Sequence, residues 1–162
     1  MPSYLCCYVG KESPMRLTRA GEYAVRCVLS LAGRKPGEVV SRKQIAAEMD
    51  IPDQFLGKIA QQLARAGILE IVQGARGGFR LRVPPDRLSL LEVVEAVIGE
   101  IFLNDCLMRP ESCLRSRSCA VNQIWEKARD QLRATLGEFT FSRILETQCC
   151  LVPPGEPGEN PP

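Results

Sequence analysis

Histidine is absent from all 162 residues, which excludes every imidazole metal ligand and every His-based catalytic relay. No apolar run approaches the ~18 residues that a membrane span requires, so no membrane association is expected. The first fourteen residues, MPSYLCCYVGKESP, have neither the basic start nor the apolar stretch of a secretory signal, and a cytoplasmic location is expected. No nucleophile stands beside a general base. The glycines at 74–78 lack the strand-to-helix setting and the Lys-Ser/Thr of a phosphate cradle. The chain is therefore read as a non-enzyme. Paired C-x2–4-C spacings, the usual mark of structural zinc, are also missing.

The net charge of +2 is unevenly distributed. Residues 15–87 carry 13 Lys/Arg against 7 Asp/Glu, and residues 88–162 carry 7 against 11. A basic front half joined to an acidic back half suggests a polyanion-binding module attached to something with another task. Met15 opens a well-patterned segment. Residues 1–14 are accordingly read as an extension outside the fold, or as lying ahead of the true start.

From Met15 to about Gly33 the apolar positions Ala20, Tyr23, Ala24, Cys27, Val28 and Leu31 recur at helical spacing, with Thr18 as N-cap. Ser41 caps a second helix whose Ile45, Ala46 and Met49 face inward. Asp50-Ile51-Pro52-Asp53 breaks it and starts a third, which runs to about Ala66 and stops at Gly67. Two short apolar runs, Ile68–Gln73 and Phe79–Val83, flank a Gly-rich hairpin tip. Another helix is expected over Ser89–Ile101 and a long one over Ser118–Gly137, the latter with an apolar stripe of Val121, Ile124, Trp125, Ala128, Leu132 and Leu136. The Pro/Gly-rich tail from Pro153 is expected to be disordered.

Two short helices across a tight turn, then a hairpin, is the element order of a winged helix-turn-helix, here over Ser41–Val83. The fold class expected is mainly α with a small β-hairpin wing and a long C-terminal helix. On the third helix Phe55, Leu56, Ile59, Ala60, Leu63 and Ala66 form the buried side, and Gln54, Lys58, Gln61, Gln62 and Arg65 the outer one. Amides read adenine edges, while Lys and Arg serve guanine edges or phosphates. Gly57 leaves room for close approach to a base or backbone. Arg76 falls at the wing tip with Arg80 and Arg82 behind it, suited to phosphates or a narrow minor groove. The candidate contacts to double-stranded DNA are Ser41, Arg42, Gln54, Lys58, Gln61, Arg65 and Arg76.

Of the eight cysteines, Cys27 belongs to the apolar side of the first helix and is read as core. The vicinal pairs Cys6–Cys7 and Cys149–Cys150 carry no firm assignment. Cys106-x6-Cys113-x5-Cys119 share one loop with Arg109, Arg115 and Arg117 nearby, and Cys119 near a helix start, a setting that suits an anionic cluster. An iron–sulfur cluster, redox-active thiols, another metal and no role at all remain open on the residues alone.

MRLTRAGEYAVRCVLSLA at Met15–Ala32, IAAEMDIPDQFLGKIAQQLARAGIL at Ile45–Leu69, VQGARGGFRL at Val72–Leu81, and LSLLEVVEAVIGE at Leu88–Glu100 ahead of three spaced cysteines resemble the Rrf2 family of winged-helix transcription regulators. The resemblance covers roughly Met15–Leu145. It implies a homodimer on a palindromic operator, joined through the long C-terminal helix. It also implies an iron–sulfur cluster, 2Fe–2S in preference to 4Fe–4S, on Cys106, Cys113 and Cys119, with redox, nitric oxide or iron–sulfur supply as the signal. The family's usual cysteine spacing is five and five, so the first gap here is one residue longer. Where some members place a fourth-ligand His this chain has Asn122, a poor ligand. Where others use a first-helix carboxylate from the partner subunit it has Glu22, with Asp105, Glu111, Cys149 and Cys150 as further options. A cluster-free repressor governed by a protein partner or thiol oxidation is the alternative within the family. A small electron carrier would leave the basic helix and wing unexplained. The expected organisation is an extension (1–14), a DNA-binding domain (15–87), a cysteine loop with dimerisation helices (88–145) and a tail (146–162).

Overall fold

The computed structural model describes residues 18–147. The expectations for residues 1–14, the two vicinal cysteine pairs and the tail fall outside that range. The elements are α1 (Arg19–Ala32), α2 (Arg42–Glu48), α3 (Asp53–Arg65), β1 (Leu69–Val72), β2 (Gly78–Leu81), α4 (Leu90–Ile98), α5 (Asp105–Met108), 3-10 turns at Pro110–Ser112 and Ser116–Ser118, α6 (Ala120–Glu138) and α7 (Phe141–Glu146). This is the expected mainly helical winged helix-turn-helix.

Helix starts follow side chains that take up orphan amides. Thr18, Ser41, Ser89 and Thr140 accept from the third residue on, and Ser89 with Glu92 forms a full capping box. Such a cap stabilises a helix by about 1 kcal/mol. α4 stops at Ile98, short of the expected Ile101, because Gly99 turns to φ +82°. α3 ends as expected, with Gly67 at φ +77°. Gly33 ends α1 without a left-handed turn.

α1 is the centre of the molecule, and α3, α4 and α7 pack against it. The core joins Ala24, Cys27, Val28 and Leu31 of α1 to Ile45, Ile51, Leu56, Ile59, Leu63, Leu69, Phe79, Val93 and Phe141. Burial in this apolar setting pushes the Cys27 thiol up to about 12, as befits a core residue. On the flank of α1, Arg34 donates to Glu48 at 2.7 and 2.6 Å, and that hydrogen bonding lowers the Glu48 carboxyl below the usual range.

The hairpin pairs Leu69 with Leu81, Glu70 with Arg80, Ile71 with Phe79 and Val72 with Gly78. Val40 adds an isolated antiparallel bridge by exchanging two 2.9 Å bonds with Phe79. That contact demands Gly78, where a Cβ would stand 2.1 Å from the Val40 carbonyl oxygen.

α7 is absent from the sequence expectation. After α6, Leu90 N donates to Phe139 O at 2.9 Å and Phe141 N to Leu88 O at 3.0 Å. This seam returns the chain to the start of α4 and drops Phe141, fully buried, into the core.

Candidate nucleic-acid interface and cysteine loop

Gln54, Lys58, Gln61 and Arg65 are all exposed and share one face of α3, since their spacings of four, three and four residues return to the same side of a helix. The opposite side buries Leu56, Ile59, Ala60 and Leu63. Three residues of this helix depart from expectation. Phe55 is 46% exposed and lies against Tyr23 of α1, with ring centroids 6.0 Å apart. Ala66 is also exposed. Gln62 is not on the outer face: it is half-buried and donates to the Val97 carbonyl of α4 at 3.2 Å. A helical wheel cannot foresee which flank meets α4.

Ser41 is exposed, and its hydroxyl caps α2 by accepting from Gln44 N at 3.2 Å. Arg42 is engaged within the protein, with Nε donating to Asp53 Oδ1 at 2.6 Å and Nη2 to the Asp53 carbonyl at 3.0 Å. Its guanidinium occupies the space over Gly57, so the gap expected there for a base is filled by a side chain. Arg76 stands exposed in the wing loop and Arg82 is exposed beyond β2, whereas Arg80 is tied across the hairpin to Glu70 at 3.0 Å. Two of the three wing arginines are thus presented to solvent.

The cysteine loop is built of single turns between α4 and α6. Cys106 lies in α5, Cys113 follows the first 3-10 turn, and Cys119 precedes α6. All three are free, half-buried thiols. Cys106 Sγ donates to Asn104 Oδ1 at 3.4 Å, and Asn122 Nδ2 to the Cys106 carbonyl at 3.4 Å. Among the described residues no three Cys, Asp or Glu side chains are gathered as a ligand group. The donor chemistry fits a thiolate-ligated group, with three accessible thiols on a segment of weak local structure, but the loop must close to bring them together. Glu22 is exposed in the first turn of α1 and paired with Arg26, which also donates to the Met49 carbonyl at 3.2 Å. Asp105 and Glu111 are exposed on the loop.

Glu95 and Arg133 tie this loop to the rest of the molecule, a link that no local pattern in the sequence announces. Glu95 Oε1 accepts from Ile101 N at 3.1 Å and pairs with Arg133 of α6 at 3.1 Å. Arg133 also holds Glu100 at 2.5 Å, and Arg129 lies 5.6 Å above the Phe102 ring. The entrance to the loop is thereby fastened to both α4 and α6.

α6 has no buried residue. Val121 and Ile124 are 55% and 66% exposed, and Trp125 and Leu132 are exposed beside them. No helix among the described residues is long and apolar enough to cross a membrane.

A model of the Rrf2 family, described as iron-dependent transcriptional regulators, matches residues 17–147. The chain is 27% identical over 135 residues to the HTH-type transcriptional regulator NsrR of Bacillus subtilis, covering 83% of this chain and 92% of the relative. The oxidized form of CymR from Staphylococcus aureus superposes with a TM-score of 0.64 at 29% identity, covering 82% of this chain and 97% of that one. IscR of T. potens superposes with a TM-score of 0.62, covering 86% and 89%, and at 22% identity speaks for the fold alone. With its helix-turn-helix, wing and matching family model, the chain belongs to the Rrf2 family of transcriptional regulators, which bind DNA and are not enzymes.

Proposed function

We propose that this chain is a cytoplasmic, homodimeric regulator of palindromic operators, whose DNA affinity is set by an iron–sulfur cluster on Cys106, Cys113 and Cys119. The 2Fe–2S form is preferred to 4Fe–4S. The observation that carries this reading is the fastening of the cysteine loop to the reading helix: Ile101 to Glu95, and, two residues further along α4, Val97 to Gln62 of α3. The family's description as iron-dependent supports it. Such a cluster, when bound, supplies a change of charge and ligation on oxidation, damage or loss.

The protein's own groups do the rest. Closure of the loop around three thiolates draws on the 99–104 segment, and Glu95 and Arg133 pass the displacement to α4 and α6. Gln62 then shifts α3. Glu22 from a second copy is the proposed fourth ligand. To ligate it must leave Arg26, which keeps the Met49 carbonyl at the end of α2 and the Tyr23 ring. The exposed stripe of α6 is the proposed dimer surface, and its spacing of the two α3 helices sets the operator half-sites. DNA-binding roles are proposed for Ser41, Gln54, Lys58, Gln61, Arg65 and Arg76, and the basic unit over 15–87 is the proposed DNA-binding domain, with 88–145 for sensing and pairing.

The second reading, a cluster-free repressor switched by thiol oxidation or a protein partner, is favoured by one observation: the three free thiols stand apart. Ultraviolet–visible spectra of anaerobically purified protein, with iron and sulfide assays, decide between the two. Charge-transfer absorbance that shifts in Glu22→Ala is the expected result. A colourless, iron-free protein that still binds its operator overturns the cluster and leaves the second reading.

A further inference from the structure

The core anchors α3 through Leu56, Ile59, Ala60 and Leu63 and the turn through Ile51, but it holds α2 more thinly. α2 has seven residues and buries only Ile45. The turn passes through Asp50 at φ +49°, a conformation uncommon for a residue with a side chain. Pro52 at the N-cap of α3 offers no capping side chain. What crosses from the first residue of α2 to the first residue of α3 is Arg42. Its Nε and Nη2 grip the Asp53 carboxylate through both oxygens, and Nη2 adds the Asp53 carbonyl. The same guanidinium rests on Gly57, where a Cβ would lie 3.4 Å from Nη1 and 3.5 Å from Cζ. Asp53, Gly57 and Gln61 follow one another at single-turn spacing, so the guanidinium borders the exposed face that carries Gln54 and Gln61.

We propose that Arg42, Asp53 and Gly57 form a clamp that sets the angle of α3 against α2, making Arg42 a positioning residue for base reading and not a phosphate contact. The forked geometry of a bidentate Arg–carboxylate pair fixes direction as well as distance. The carboxylate also cancels the charge that a phosphate contact would use. A methyl at position 57 would only touch the guanidinium at van der Waals distance, whereas a longer side chain would compete for its place. The inference rests on α3 being the reading helix, and the test separates the two.

Full-length protein is titrated against a duplex selected by the wild type from a randomised pool, and against a scrambled duplex of the same composition, over a salt series. Arg42 and Asp53 are exposed, so their replacement strands no buried charge. The expected result is that R42A and D53N each cut the selected-over-scrambled preference about tenfold, and the double variant cuts it no further. R42K fails to restore it, G57A keeps it while G57L lowers it in part, and R42A leaves the salt slope unchanged. Three results overturn the clamp alone. R42A weakening both duplexes alike and flattening the slope by about 0.9 makes Arg42 a phosphate contact. D53N tightening both duplexes with preference intact makes Asp53 a mask on such a contact. Unchanged preference in all variants makes the pair an ordinary surface bridge. A Q54A/Q61A variant that keeps full preference refutes the reading role of α3 itself, and the clamp with it.

Discussion

Gln54 and Arg76 sit on different elements, and different kinds of contact are proposed for them. An exposed amide at the N-terminal end of α3 is suited to a base edge, so Gln54→Ala should relax sequence preference by about 1–3 kcal/mol at one position. Arg76 in the wing loop should act on phosphate, so Arg76→Ala weakens binding to all sequences and flattens the salt dependence. Gel shifts on matched and mismatched duplexes read both. The cysteines divide just as sharply. Burial raises Cys27 to about 12, so at pH 8 it holds almost no thiolate, and alkylation of the metal-free folded protein should spare it while modifying half-buried Cys106, Cys113 and Cys119. Peptide mass mapping after a short iodoacetamide pulse checks this, and modification of Cys27 at the rate of the loop thiols would contradict its place in the core.

At the scale of elements, α6 and α7 make opposite demands. The stripe of α6 is exposed within one chain, so a charge placed at Ile124 leaves the fold intact but should break self-association; Ile124→Glu is expected to sediment as a monomer. Phe141 of α7 is fully buried, and Phe141→Ala should cost about 3–5 kcal/mol in denaturant unfolding. The two helices also show what the sequence could and could not reveal. Caps at Thr18 and Ser41, the turn at Gly67 and the hairpin around Gly74–Gly78 are local, and each was legible from neighbouring residues. α7 was not, because Phe141, Ile144 and Leu145 make too short a run to display a period. Phe55 and Gln62 exchanged expected places because their surroundings come from α1 and α4, remote in the chain. The candidate ligands came from the resemblance to the family, whereas the contacts of Arg42, Glu95 and Arg133 depend on partners 11, 6 to 38 and 33 to 38 residues away.

Across the whole molecule, α6 and α4 link the cysteine loop to α3, the proposed reading helix. If Arg133 carries the connection, Arg133→Ala should retain the fold, yet operator affinity should no longer differ between cluster-loaded and cluster-free protein. Fluorescence anisotropy on both forms measures that difference, and an unaltered difference would place the coupling elsewhere. The seam that returns Phe141 to the core has its own consequence, in time. A ribosome delivers α1 first and α7 last among these elements, and the centre of the fold waits for both. A growing chain that has emerged only through its wing therefore lacks the packing of α4 against α3 and of α4 and α7 against α1. Synthesis of the last helix thus acts as a completeness check on the first.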